Sequence, residues 1–303
     1  MADKSGQADI RGLDIDKLAK GFADEANVMK KFVTMSKTKA REIRWYQKTS
    51  GFLDSTDSSG ITASHITNTS DKSLPVAVEQ SWTRNTSYVR KFFVESPLIS
   101  EEDIKDSDLD ILATNVRDLV RAVARQVDQR IIAVLTNAAD ATPTTPLTGT
   151  VTVQNTAATA DGWNDATTGD PIADILNGKQ LLRAQGYDPE GSMLGMNSAE
   201  HKHLLTYLIN VKGSSIPQFS SEKVRSGVVM ELLGCNVVVS ENFTTDWVVQ
   251  WIPSRAATWK SFSPITSTVM DEPGIGKKIR VWERGECLLT DPNAVHVISD
   301  TIV

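Results

Sequence analysis

The sequence predicts an α+β protein built from unequal parts, and three stretches predict it. Residues 107–139 carry one long amphipathic helix, and residues 41–96 hold two strand-like arms around a polar tip. Residues 170–245 run helix, strand, helix, loop, strand, and the chain is strand-rich from there to its end. With 303 residues, 40% hydrophobic and 23% charged, the chain has the material for a packed core in one large or two smaller domains.

The first element is an amphipathic helix from Leu13 to about Phe32, with Ile15, Leu18, Ala19, Phe22, Ala26, Met29 and Phe32 at helical spacing. It packs either on its own core or on a neighbouring subunit. The basic segment KTKAREIR follows it. Between 41 and 96, REIRWYQK and LPVAVEQSWTRNTSYVRKFFVES alternate as strands do, and the stretch between them is dominated by Ser, Thr, Asp and Gly. That pattern describes an extended hairpin, which is marginal in water by itself. Its arms carry Trp45, Tyr46, Trp82, Tyr88, Phe92 and Phe93, which either fold back on the core or lie on another chain, and the length and polarity of the tip favour the second.

After Pro97, Ser100-Glu101-Glu102-Asp103 marks a short helix start. In the long helix, Ile111, Leu112, Val116, Leu119, Val120, Val123, Val127, Ile131 and Leu135 form one apolar stripe. Asn115, Arg117, Asp118, Arg121, Arg125, Asp128 and Arg130 are expected on the opposite face, and Asp106, Ser107 and Asp108 at its N-terminus. At ~1.5 Å per residue the helix would span roughly 50 Å. Residues 141–169 read as surface loop with a short strand over Gly149 to Gln154. Asp170-Pro171 opens a helix with Ile172, Ile175, Leu176, Leu181 and Leu182 as its stripe, closed by Gly186. SMLGMN reads as a buried strand, SAEHKHLLTYLIN as a helix capped by Ser198, and VVMELLGCNVVVSENF as strand again.

Charge and motifs exclude several functions. A net charge of −6 lacks the basic footprint of a protein that grips phosphate backbones. Cys235 and Cys287 have no CxxC spacing and fit buried thiols in a reducing compartment. The N-terminus lacks the apolar core of a secretory signal, and no apolar run nears the ~20 residues of a membrane span. His201 and His203 sit two apart on a helix and so face different ways, which makes a poor metal pair. Gly274-Ile275-Gly276-Lys277-Lys278 lacks the Walker spacing and precedes a strand, so it reads as a turn. No catalytic, cofactor-binding or metal-binding residues are expected, and an enzyme built on residues 170–245 would need convergent titratable groups the sequence does not display.

The order of parts carries a resemblance. FFVESPLISEEDIKDSDLDILATNVRDLVRAVARQVDQRII, DPIADILNGKQLLRAQGYDPEGSMLGMNSAEHKHLL and GIGKKIRVWERGECLLTDPNAVHVIS, in that order, resemble a major capsid protein of the Hong Kong 97 type, the shell fold of tailed bacteriophages and related archaeal viruses. The resemblance implies an N-terminal arm over 1–40, an extended loop over 41–96, a spine helix over 97–140 and an axial domain over 170–245, with 141–169 and 246–303 in the peripheral domain. It implies a homo-oligomer of hexamers and pentamers closing an icosahedral shell around double-stranded DNA, in the virion, assembled in the host cytoplasm. The mildly acidic composition suits a wall to which packaged DNA does not stick. The resemblance also implies a portal protein as partner and leaves room for a decoration protein. With only about 40 residues ahead of the hairpin, a separate scaffolding protein is expected rather than an integral one. A cellular nanocompartment of the encapsulin type, enclosing a cargo enzyme, is the alternative.

Lattice interfaces use aromatic and arginine anchors. The expected inter-subunit contacts are therefore the apolar Trp45, Tyr46, Phe52, Leu53, Trp82 and Tyr88, with Arg44, Lys48, Arg84, Arg90 and Lys91 as charge partners. The loop from Lys212 to Gly227 is expected near the capsomer axis. Lys48 or Lys72 offers an amine where some members of the family cross-link, but non-covalent contact is the expectation.

Overall fold

The computed structural model describes residues 29–48, 71, 74, 82–106, 111–136, 153–158, 162–165, 168–210 and 231–302. The chain divides into two compact units, each made of three separate segments. The first comprises Met1–Ile43, Ser87–Ile131 and Trp259–Leu288, the second Arg44–Thr86, Ile132–Thr258 and Leu289–Val303.

In chain order the strands are β1 (Thr34–Lys37), β2 (Glu42–Lys48), β3 (Trp82–Tyr88), β4 (Arg90–Glu95), β5 (Ile99–Ser100), β6 (Gln154–Ala157), β7 (Met193–Met196), β8 (Glu231–Leu232), β9 (Cys235–Val239), β10 (Trp247–Trp251), β11 (Ala257–Glu272), β12 (Gly276–Leu289) and β13 (Val295–Ser299). The helices are α1 (Glu101–Asp106), α2 (Ile111–Leu135), α3 (Pro171–Ala184) and α4 (Ser198–Asn210), with 3-10 turns at Met29–Phe32 and Pro292–Ala294.

The first unit is a sheet in the order β1-β11-β12-β4, with β5 also on β12. β4 and β12 run antiparallel, and their register sets Val94 opposite Val281, Phe93 opposite Trp282 and Glu95 opposite Arg280. The Arg280 guanidinium closes that last pair on Glu95 at 2.5 Å. The turn between β11 and β12 is Pro273 to Ile275, where Gly274 takes φ +74°. The GIGKK segment thus begins in the hairpin turn its sequence suggests and runs on into β12 from Gly276. Leu112, Val116, Val120 and Val123 of α2 pack with Ile265, Ile279 and Val281 of the sheet. The stripe read from the sequence is therefore the buried one.

Several expectations for the helices change. Within the described residues α2 has 25 residues, about 38 Å at 1.5 Å per residue, and it gives way to a turn at Thr136, while 107–110 and 137–139 of the expected helix lie outside the described residues. Asp128 and Arg130, expected on the wet face, are buried. Their partners are Met29 and Glu286, far away in sequence, so no helical period reveals them. Of the expected N-terminal helix only residues 29–32 fall within the described residues, and they form a 3-10 turn. Residues 107–110, including Ser107 and Asp108, lie outside the described residues.

The second unit is a six-stranded sheet in the order β6-β13-β10-β7-β9-β8. β7 pairs with β9 and β13 with β6 in parallel, while β10 is antiparallel to both β13 and β7. Its core gathers Trp163, Ile175, Leu194, Met196, Leu204, Leu208, Val248 and Ile298. The expected segment 170–245 supplies only β7, β8 and β9 to this sheet; β6, β10 and β13 come from 154–157, 247–251 and 295–299. Of the short strand expected over Gly149 to Gln154, residues 149–152 lie outside the described residues; β6 runs from Gln154 to Ala157, its register set by pairing with β13.

α3 begins as its sequence dictates. Asp170 accepts the Ala173 N–H at 3.1 Å, Pro171 fills the first turn, and Gly186 follows the helix at φ +82°. Its buried face takes Asp174, Gly178 and Lys179 beside Ile175 and Leu182, whereas Leu176 is exposed. For α4 the capping oxygen belongs to Asn197, not Ser198. Asn197 Oδ1 accepts both the Ala199 N–H at 3.3 Å and the Ser198 hydroxyl at 3.2 Å.

Candidate functional site

β2 and β3 form a two-stranded sheet of their own. A strand alternates faces every residue, so β2 cannot shelter both Trp45 and Tyr46 on one side. Trp45 is half-buried, and its indole N–H donates to the Leu289 carbonyl at 3.1 Å. Tyr46 is left 62% exposed and Trp82 57%. Tyr88 is exposed too, as are Arg44 and Arg84. Large aromatic side chains thus stand exposed on this strand pair. Lys48 ends β2, but its side chain, with Phe52, Leu53, Lys72 and the loop 212–227, lies outside the described residues.

Two of the expected charge partners sit in the first unit, on β4. Lys91 is exposed, its ammonium 4.2 Å from the Phe93 ring centroid and 5.8 Å from that of Trp282. Arg90 instead turns inward, its Nε 2.9 Å from Glu286 Oε2. Arg130 holds the other oxygen of the same carboxylate, with Nη2 at 2.8 Å. Burial pushes the Glu286 carboxyl above the usual carboxylate range, and the two guanidiniums pull it back in part. The sequence pattern puts Arg90 on the surface because Glu286, its partner, lies on a strand nearly 200 residues later.

The same unit has a groove of about 710 Å³, lined by Phe92, Phe93 and Val94 of β4 and by Arg121, Arg125 and Gln126 among others of α2. Phe92 rests on Trp259, ring centroids 6.2 Å apart, while Phe93 is 46% exposed. Met29 is buried next to α2, its N–H donating to Asp128 Oδ1 at 3.3 Å. The neighbouring Lys30 ammonium reaches Glu283 and lies 5.3 Å over the Trp259 ring.

The second unit holds a polar cluster that the sequence does not reveal. Gln250 Nε2 donates to Ser192 Oγ and approaches Cys235 Sγ, both at 3.3 Å, and His296 Nε2 lies 3.0 Å from Thr156 Oγ1. The Trp163 indole donates to Asp174 Oδ2 at 2.8 Å. Gln250, Cys235 and His296 are fully buried and Ser192 nearly so, which leaves a substrate no way in. Burial pushes His296 down to about 4 despite the field of Asp174, so the ring is neutral. The cluster is core architecture. No spacing announces it, because the fold brings its members together from four separate strands, a helix and the connections that hold Trp163 and Ser192.

Among the described residues no group of three His, Cys, Asp or Glu side chains is placed to hold a metal ion. No helix there is long and apolar enough to cross a membrane. Cys235 and Cys287 are both free and buried.

A model of the phage capsid protein family matches residues 98–292. No curated protein matches the chain. Among solved structures, the fold is similar to that of Mycobacterium phage Ogopogo, at TM-score 0.64 and 17% identity over 90% of this chain and 92% of that one. It is similar to the capsid of cyanophage P-SCSP1u, at TM-score 0.64 and 11% identity over 90% and 88%. It is also similar to the virus-like particle from Pyrococcus furiosus, at TM-score 0.60 and 10% identity over 94% and 98%.

Proposed function

This chain belongs to the phage capsid protein family, and on that premise we propose that it is the major shell subunit, assembling as hexamers and pentamers into an icosahedral capsid around double-stranded DNA. The observation that carries the reading is the β2–β3 pair, an arm without a core of its own that exposes Tyr46 and Trp82. A monomer gains nothing by leaving such side chains in water, whereas a lattice covers them.

In this reading residues 1–40 are the N-terminal arm, 41–96 the extended loop, whose last residues return as β4 into the sheet of the first unit, and 97–140 the spine. The axial domain is the six-stranded unit, which widens the expected 170–245 by β6, β10 and β13. The remaining strands of 246–303 belong to the peripheral domain. The contact set is Arg44, Trp45, Tyr46, Lys48, Phe52, Leu53, Trp82, Arg84, Tyr88 and Lys91, with Arg90 held inward by Glu286. A separate scaffolding protein and a portal protein complete the assembly in the host cytoplasm, and the outer surface is open to a decoration protein.

The test is expression of the chain with and without a scaffolding partner, followed by electron microscopy and nucleic-acid analysis of the particles. Closed shells of capsomers, filled with DNA when made in the infected host, are expected. Shells that hold a protein cargo and no DNA would replace the reading by that of a nanocompartment. A subunit that stays monomeric under every condition, with its 41–96 segment resistant to protease, would overturn it.

A further inference from the structure

β4 ends the sheet of the first unit: β12 pairs with one of its sides, and among the described residues nothing pairs with the other. The Ser96 N–H donates to the Ile279 carbonyl at 2.8 Å, one step on from the opposed Glu95 and Arg280. Alternate residues of an antiparallel strand share that role. Val94 and Phe92 therefore bond to β12, while Lys91, Phe93 and Glu95 turn their N–H and C=O groups to the open side. The groove touches Phe92, Phe93 and Val94, three consecutive residues whose side chains alternate faces, so it runs along this edge. The side chains of Lys91, Phe93 and Glu95 share the wetter face, opposite Arg284, Trp282 and Arg280. Lys91 and Arg284 are thus like charges directly opposed, an unfavourable pair. Neither meets a carboxylate among the described residues. The Lys91 ammonium has only the Phe93 and Trp282 rings, and the buried Arg284 Nε has no partner there.

An added strand that suits this edge carries an acid opposite Lys91, an apolar residue opposite Phe93 and a base opposite Glu95. β4 itself, read in reverse, is such a strand. We propose that β4 is a self-complementary contact, on which β4 of a second copy pairs antiparallel about a two-fold axis through Phe93. Lys91 then faces the partner's Glu95, Phe93 faces the partner's Phe93, and each opposed pair exchanges both its N–H···O bonds. The partner's Glu95 supplies the carboxylate that Lys91 lacks, using the oxygen that Arg280 does not hold. Phe93, 46% exposed in the single chain, is covered, and with Trp282 it extends into a row of four rings. On the other face the partner's Val94 lands beside Phe92 and enters the groove. Charged residues on an edge strand commonly prevent pairing, but here their order is complementary to itself. The inference concerns one two-fold contact and does not rest on the shell reading.

The test is Phe93→Cys in the full-length subunit, oxidised over a range of micromolar concentrations and read by mass spectrometry without reductant; Cys235 and Cys287 are buried. A disulfide joining position 93 of two copies is expected, since the pairing sets those Cα atoms about 5.5 Å apart. Lys91→Cys should stay unlinked, because the two copies of position 91 stand four residues out of register, about 14 Å apart. Added to Phe93→Cys, either Lys91→Glu or Glu95→Lys should lower the yield about fivefold by setting like charges opposite each other. Mixing those two charge variants should restore it, in links between unlike chains. Subunits that stay monomeric with no link at position 93, equal linking of positions 91 and 93, or yields indifferent to the charge changes would each overturn the inference. Should a charge variant fail to fold by circular dichroism, the two cysteine variants still decide. The link is read on subunits whether or not they form shells. Shells without it would leave the shell reading standing, and linked subunits that never form shells would do the reverse.

Discussion

Arg130 Nη2 sits 2.8 Å from Glu286 Oε1 with both side chains almost fully withdrawn from water, which ties α2 to β12 by a charge in addition to their apolar packing. Breaking such a pair strands a buried charge, and that costs more than the pair itself contributes. Glu286→Leu is expected to destabilise the subunit by about 3–5 kcal/mol. Because Arg90 and Arg130 both hold Glu286, the triple variant Arg90→Met, Arg130→Met and Glu286→Leu should recover most of the loss. Chemical denaturation midpoints of the three single variants and the triple variant check this; additive losses would contradict it.

Gly178 of α3 meets the polar interior of the six-stranded sheet. A Cβ there would lie 2.4 Å from Gln250 Oε1 and 2.8 Å from His296 Nδ1. Gly178→Ala should therefore cost about 1–3 kcal/mol through overpacking, despite the better helix propensity of alanine. Thermal denaturation measures the loss. A gain in stability would mean that the cluster yields without strain.

His296 supplies an acid limb to stability. Its folded pKa of about 4 lies below the ordinary 6.5. Between those values the unfolded chain binds the proton and the folded one does not, so stability falls as pH drops from 6.5 and levels off below about 4. The full loss is about 3 kcal/mol. His296→Gln is expected to be less stable at neutral pH and to show a shallower slope over that window, read from urea titrations at several pH values. An unchanged slope would assign the acid limb to other groups.

The aromatic residues of β2 and β3 divide by what they touch. Tyr46→Ala and Trp82→Ala remove exposed side chains and should change subunit stability by less than about 0.5 kcal/mol. As lattice anchors they should raise the concentration needed for assembly about 10- to 100-fold, matching 1–3 kcal/mol per contact. Trp45→Ala also loses the hydrogen bond to Leu289 and should lower the melting temperature of the isolated subunit. Light scattering against concentration, alongside calorimetry, separates the two effects.

The parts of the fold legible in the sequence are those set by neighbours within a few residues. Asp170-Pro171 announces α3, the apolar period along 112–135 announces α2, and the glycines of GIGKK announce a turn. The parts that differ depend on partners elsewhere. Asp128 and Arg130 look like surface residues until Met29 and Glu286 are brought to them. β6 is placed by β13, and Arg90 is drawn inward by a carboxylate on β12. In the candidate site, the exposure of Tyr46, Trp82 and Tyr88 agrees with the strand alternation. The groove has no sequence signature because one wall is a strand and the other a helix, each ordinary by itself.

The division of each unit into three chain segments bears on how the protein is made. The first unit takes its last strand material from Trp259–Leu288, and the second closes only with residues from Leu289 onward. On the ribosome neither unit has all its segments until synthesis has passed residue 288. Domain-by-domain folding of the nascent chain is therefore denied to this protein. Its aromatic arm emerges early and waits, tethered and unfinished, for the final strands, and that interval is when its apolar surface is open to chaperones.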